Sequence, residues 1–208
     1  ESSSFSLKYL EKSLLKGITS FAGWNMFNAF GNVVENQGMT VLLNNFFGTK
    51  INAAQGIAMQ VSSQFNYLSQ SLLNAINPQI MKSEGAKERK NMFRLSMIAS
   101  KYSFFLISLI AIPAFFEMPA ILSLWLKYVP DFTISITRLI LLAVLLNQLT
   151  AGLSSANQAI GNIRNFTIVV YTIRLCVLPI GYGFLKMGLS ANVVYIIYAI
   201  LMGIASLT

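Results

Sequence analysis

The chain is 208 residues long, 55% hydrophobic and only 11% charged, with a net charge of +8. A soluble domain is nearer 45–50% apolar and about 25% charged. Charge this sparse cannot coat a folded surface facing water, which excludes a cytosolic enzyme, a disordered tail and a secreted mini-protein. With no histidine and a single cysteine, Cys176, the chain lacks the commonest acid–base residue and metal ligand, and can form neither an internal disulfide nor a cysteine-based zinc site. In so apolar a chain the positive balance reads as membrane orientation rather than as affinity for nucleic acid. The expectation is an all-α integral membrane protein with no nucleic-acid partner.

In chain order, the first feature is a basic segment, residues 1–17. Leu7, Leu10 and Leu14 fall on one helical face, while Lys8, Lys12 and Lys16 repeat every four residues. This is either a cytoplasmic amphipathic linker lying on an anionic leaflet or the ordinary positive flank of the first span. The chain opens on Glu1 without a signal sequence and stops inside an apolar run, and so reads as a piece of something longer.

About 20 mostly apolar residues cross a bilayer as a helix. Six stretches qualify by length, at about 18–46, 53–80, 95–116, 134–159, 166–185 and 191–207. Turns are expected at Gly48-Thr49-Lys50, in the charged run 82–90, at Gly161-Asn162 and at Lys186-Met187-Gly188. The segment 117–131, with Pro119, Trp125, Tyr128 and Pro130, suits a short helix at the membrane interface.

Ten Lys and Arg residues fall on the side of the N-terminus: Lys8, Lys12, Lys16, Lys82, Lys87, Arg89, Lys90, Arg94, Lys101 and Arg164. Four fall on the other: Lys50, Lys127, Arg138 and Lys186. By the positive-inside rule the N-terminus and the 82–90 loop are cytoplasmic. On that side the sequon Asn165-Phe166-Thr167 reads as chance.

Three spans carry a polar face. In the second, Gln60, Ser63, Gln64, Tyr67, Gln70, Ser71, Asn74 and Asn77 fall within a sector of roughly 140°. The first span carries Asn25, Asn28, Asn32, Glu35 and Asn36 at helical spacing, and the fourth repeats it with Asn147, Thr150, Ser154, Asn157 and Gln158. Amides facing hydrocarbon cost kilocalories without partners. These faces either hydrogen-bond helix to helix or converge on a hydrated cavity, and three stripes favour the cavity. Its expected lining is Asn25, Asn28, Asn32, Gln60, Gln64, Tyr67, Ser71, Asn74, Asn147, Ser154, Asn157, Tyr171 and Arg174.

Arg174 lies nine residues beyond Asn165, roughly 14 Å of helix, and Thr167 and Tyr171 share its face. Glu35 lies on the Asn stripe of the first span. Intramembrane charges are costly enough that function is the default reading, with Arg174 holding an anionic cargo group and Glu35 as a candidate for ion coupling. The competing reading makes each part of a structural ion pair, to one another among other choices. Pro113 and Pro179 fall within spans and serve either as hinges or as plain packing features. No histidine, Gly-rich phosphate loop, nucleophile elbow or paired intramembrane carboxylate is present. The expectation is a non-enzyme without a cofactor.

The residues of the first two spans also carry a resemblance. Gly23-Trp24-Asn25, Asn36-Gln37-Gly38, Leu42-Leu43-Asn44 and Phe46-Phe47-Gly48 are followed by the run from Asn52 to Val61, then Asn77-Pro78-Gln79-Ile80 and Lys82-Ser83. This pattern, extended more loosely through Trp125, Pro130 and Gly161, resembles the second half of bacterial polysaccharide-export flippases. These are the O-antigen type within the multidrug/oligosaccharidyl-lipid/polysaccharide superfamily. The resemblance implies a six-transmembrane-helix bundle, residues 18–208, forming one lobe of a two-lobe, MATE-like transporter in the bacterial inner membrane. It implies movement of an undecaprenyl-diphosphate-linked oligosaccharide, an O-antigen or capsule repeat unit, from the cytoplasmic to the periplasmic leaflet by alternating access. The implied partners are the bilayer, the lipid-linked oligosaccharide and other polysaccharide-assembly proteins. The pattern is specific for family and weak for substrate. A multidrug or organic-cation antiporter of the same superfamily, and a non-transporting membrane scaffold or enzyme subunit, are the alternatives.

Overall fold

The computed structural model describes residues 12–161 and 163–207, and these are almost entirely helical. The leucine and lysine pattern of the basic N-terminal segment lies outside the described side chains. The helices are α1 (Lys12–Phe47), α2 (Thr49–Gly85), α3 (Arg89–Phe116), α4 (Met118–Trp125), α5 (Thr133–Gln148), α6 (Ala151–Ile160), α7 (Arg164–Leu175), α8 (Val177–Lys186) and α9 (Ala191–Leu207).

Among the described residues, two helical segments are both long and apolar enough to cross a membrane, Arg89–Phe116 and the run Arg164–Lys186 formed by α7 and α8. A third crossing exists if α5 and α6, bent by 50° at their junction, count as one. This is fewer than the six expected from apolar stretches. Helices α1 and α2, at 36 and 37 residues, have the length. Their many amides and hydroxyls dilute the apolar content that a lipid-facing crossing requires. Helix α9 is apolar but only 17 residues long.

Gly48 divides α1 from α2 at a φ of 72°, a left-handed conformation that an L side chain resists. Neither Pro78 nor Pro113 interrupts its helix. Pro179 acts differently. Its ring cannot bond the carbonyl of Leu175 and crowds it, and the expected fifth span parts at Cys176 into α7 and α8. The expected fourth span is likewise not one straight helix, since it breaks between Gln148 and Ala151. Tertiary contacts hold that break. Gly152 donates its freed backbone N–H to Ser100 Oγ at 3.0 Å. Ser69 of α2 and Ser103 of α3, 2.7 Å apart, both meet the Gln148 side-chain oxygen just before the bend.

The main core gathers Met39 and Leu43 of α1, Ile51 and Ala54 of α2, and Ile107 and Ala111 of α3. Met118 and Leu122 of α4, Ile136 and Leu141 of α5, Val177 and Leu185 of α8, and Val194 and Tyr195 of α9 also belong to it. Arg138 clamps the same end by donating to the carbonyls of Phe115 at 2.7 Å and Phe116 at 3.1 Å, where α3 leaves acceptors unpaired. At the other end of α2 and α3, Ile80, Met92 and Ala156 form a second, smaller cluster. Large apolar side chains face outward along α1 and α3, with Met26 76% and Leu109 75% exposed. Such a surface suits lipid rather than water.

Candidate functional site

The polar groups of α1, α5, α6, α7 and α9 enclose two adjoining cavities. The larger holds about 730 Å³, between α1, α6, α7 and the end of α9. Asn25, Asn28 and Asn32 line it from α1, Asn147, Ser154 and Asn157 from the bent α5–α6 pair, and Tyr171 and Arg174 from α7. Thr150 and Gln158 continue the α5–α6 stripe into the same space. The second cavity, about 410 Å³, lies toward the main core between α1, α2, α5 and α9. Asn32, Asn147, Arg174 and Met202 belong to both walls, so the guanidinium stands where the two spaces meet.

Two of the three stripes therefore converge as their spacing suggests. Positions 0, 3, 7, 10 and 11 stack on one helical side, and α1 turns its amides toward α7 and α9 while Met26, Phe30 and Val33 face outward. The bend after Gln148 does not scatter the fourth-span stripe, because Asn147 and Asn157 still line one space.

The α2 stripe goes elsewhere. Gln60, Gln64, Tyr67, Ser71 and Asn74 are exposed on the outside of the bundle and line neither cavity. Their hydrogen bonds are local. Gln70 donates to Asn74 at 3.0 Å, and Ser71 donates to the Tyr67 carbonyl at 2.9 Å. The α2 residues on the smaller cavity are Met59, Ser62, Ser63 and Asn66, one step around the helix, and only Ser63 is shared with the stripe. The core sets this rotation, since Phe65, Ser69 and Leu73 turn inward toward α3 and α5.

Arg174 is held from several directions. Its guanidinium forms an ion pair with Glu35 at 2.9 Å, with the Glu35 side chain 2% and the Arg174 side chain 18% exposed. The guanidinium carbon lies 5.3 Å from the centre of the Tyr171 ring, a cation–π distance. Asn32 donates to the Tyr171 hydroxyl at 2.7 Å. The ring itself lies on Gly31, where an added Cβ would stand 2.5 Å from a ring carbon. Tyr198 of α9 lies beside the same guanidinium. The two charges that the sequence sets within expected spans thus meet, and Arg174 keeps an edge on both cavities while Glu35 keeps none.

The sequence reasoning did not single out Ser62, Asn66, Tyr195 and Tyr198, all of which line the smaller cavity. The two tyrosines offered a signal, as paired hydroxyls three residues apart in the apolar α9. Ser62 and Asn66 offered little, because α2 carries polar residues around most of its circumference.

Comparison with protein-family models, with curated proteins and with solved structures finds no match to this chain.

Proposed function

We propose that this chain is one lobe of a membrane transporter for a lipid-linked oligosaccharide, the O-antigen-type flippase its sequence resembles. The observation that carries the reading is the pair of adjoining amide-lined cavities meeting at Arg174. A sugar chain presents many hydroxyls that both donate and accept, and Asn and Ser side chains answer both needs. A diphosphate presents fixed negative charge, and the planar guanidinium can bind its oxygens in pairs. In this proposal α1, α2, α5–α6 and α9 cross the bilayer together with α3 and α7–α8. The exposed α2 stripe then faces the second lobe rather than lipid, which relieves the cost of amides in hydrocarbon. The positive-inside count puts the α2–α3 turn in the cytoplasm of a bacterial inner membrane.

The test is genetic and chemical. Deleting the gene should abolish surface polysaccharide and leave the diphosphate-linked oligosaccharide on the cytoplasmic leaflet, and complementation should reverse both. Unchanged surface polysaccharide with no accumulated precursor would overturn the proposal.

A further inference from the structure

Helix α3 carries a basic stripe that the transport reading does not use. Lys90, Arg94, Met97, Lys101, Phe104 and Phe105 follow one another at spacings of one to four residues and fall within roughly 100° of the helix surface. Lys90, Arg94 and Lys101 are exposed, and none makes an ion pair with a carboxylate among the described residues. The first two line a hollow of about 390 Å³ that also contains Glu88 and Asn91, which leaves a net positive charge there. Further along the same face lies a groove of about 280 Å³. Phe104 and Phe105 form one side and Leu149 and Leu153 the other, with Lys101 at its rim. The α5–α6 bend opens the groove, since Leu149 sits at the break.

Depth makes these features one site. With a rise of about 1.5 Å per residue, Arg94 lies about 6 Å and Lys101 about 16 Å along the axis from Lys90. A hydrocarbon core of about 30 Å measured back from the end of α3 at Phe116 reaches about residue 96. Arg94 then stands at the headgroup level, Lys101 lies just inside and extends its ammonium outward along its own apolar stem, and the groove lies in the acyl region. Cations at headgroup depth over an apolar slot at chain depth match a lipid with a negatively charged headgroup. A zwitterionic lipid offers the chain but not the charge.

We infer that this α3 face, from Lys90 to Phe105 with the groove beside the α5–α6 bend, binds an anionic phospholipid of the bilayer. The phosphate sits among Lys90, Arg94 and Lys101, and one acyl chain lies between Phe105 and Leu149. The groove shares Leu153 with the wall of the larger cavity, but Lys90, Arg94 and Lys101 line neither cargo cavity, so the site does not depend on what they carry.

A local optical reporter tests it. In the full chain with Trp24→Phe and Trp125→Phe, Phe105→Trp places one indole at the groove. The protein is reconstituted in phosphatidylcholine with a minor share of phosphatidylglycerol, and quenching is compared when one or the other lipid carries dibrominated chains. Brominated phosphatidylglycerol should quench about fivefold more per molecule than brominated phosphatidylcholine. Lys90→Gln, Arg94→Gln and Lys101→Gln together should bring the ratio to about one. The same charge loss at Lys50, Lys127 and Lys186 should leave it unchanged. An indole at Leu109, which faces lipid off the stripe, should show a ratio near one. A ratio near one at position 105, an equal fall in both triple variants, or the same preference at position 109 overturns the inference. So does relief of quenching by unlabelled undecaprenyl phosphate but not by unlabelled phosphatidylglycerol at equal share, which would make the occupant the carrier lipid.

Discussion

Glu35 of α1 and Arg174 of α7 meet at 2.9 Å, and only the arginine retains access to a cavity. The asymmetry separates two roles for one contact. Glu35 fixes the position of the guanidinium, while the open edge of Arg174 is what a ligand could reach.

Removing one partner leaves the other buried without compensation, at a cost of about 3–5 kcal/mol for a fully buried pair. Arg174→Gln should fall near the lower end, since the site keeps a wet edge. We expect reduced membrane abundance and thermal stability for Arg174→Gln, and recovery of both in Glu35→Gln/Arg174→Gln. If Arg174 also holds diphosphate, the double variant regains abundance but not export, and Arg174→Lys exports between wild type and Gln at matched abundance. Surface polysaccharide and immunoblotted protein, measured together, decide the matter. Normal export by the double variant would leave the ion pair purely structural.

The outward turn of the α2 stripe gives a second expectation. Single cysteines at Gln60, Gln64 and Asn74, in a protein lacking Cys176, should react with a water-soluble thiol reagent. Phe65, which is 8% exposed, and the half-buried Val61 and Leu72 should react far less. Equal labelling on both sides of α2 would mean that no aqueous space borders the stripe.

Orientation follows from α3, whose 28 residues span about 42 Å, more than the hydrocarbon core. Lys87, before α3, and Lys127, after α4, should therefore lie on opposite sides, with Lys87 cytoplasmic by the charge count. Cysteines at the two positions can be tested with an impermeant reagent on intact cells, and labelling at 127 alone is expected. Labelling at 87 alone would reverse the orientation, and labelling at both would deny the crossing.

Helix ends at Gly48, Gly161 and Gly188 were legible because each occupies a left-handed φ that glycine alone adopts cheaply. The converging stripes on α1 and α5–α6 were legible because 3.6-residue periodicity needs no knowledge of neighbours. Pro179 was readable only as either a hinge or a packing feature, and the separation falls at Cys176, next to the Leu175 carbonyl that a proline four residues later disturbs. The α5–α6 bend was not legible. No proline lies between Asn147 and Ala151, and the groups that stabilise the bend, Ser69, Ser100 and Ser103, belong to other helices. For the same reason the rotation of α2 escaped sequence reasoning. A helix polar on several sides does not reveal which side its neighbours will take.

The bend also yields a contrast between two glycines. A Cβ added to Gly152 would run into the Ser96 carbonyl and stand 2.9 Å from both the Ala99 Cβ and the Ser100 backbone nitrogen. Two of those three obstacles are backbone, so relief requires α6 to move away from α3. That movement would stretch the 3.0 Å bond from the Gly152 amide to Ser100. Gly56 of α2, by comparison, has nothing within 4 Å of an added Cβ. Overpacking of a tight helix crossing costs about 1–3 kcal/mol, whereas alanine in an open helical position is neutral to mildly stabilising. Gly152→Ala should therefore lower the thermal midpoint of the purified protein by several degrees, and Gly56→Ala should leave it unchanged or slightly raised. Should the two variants melt alike, α6 does not approach α3 closely at Gly152, and the bend must be held by the Gln148 contacts alone.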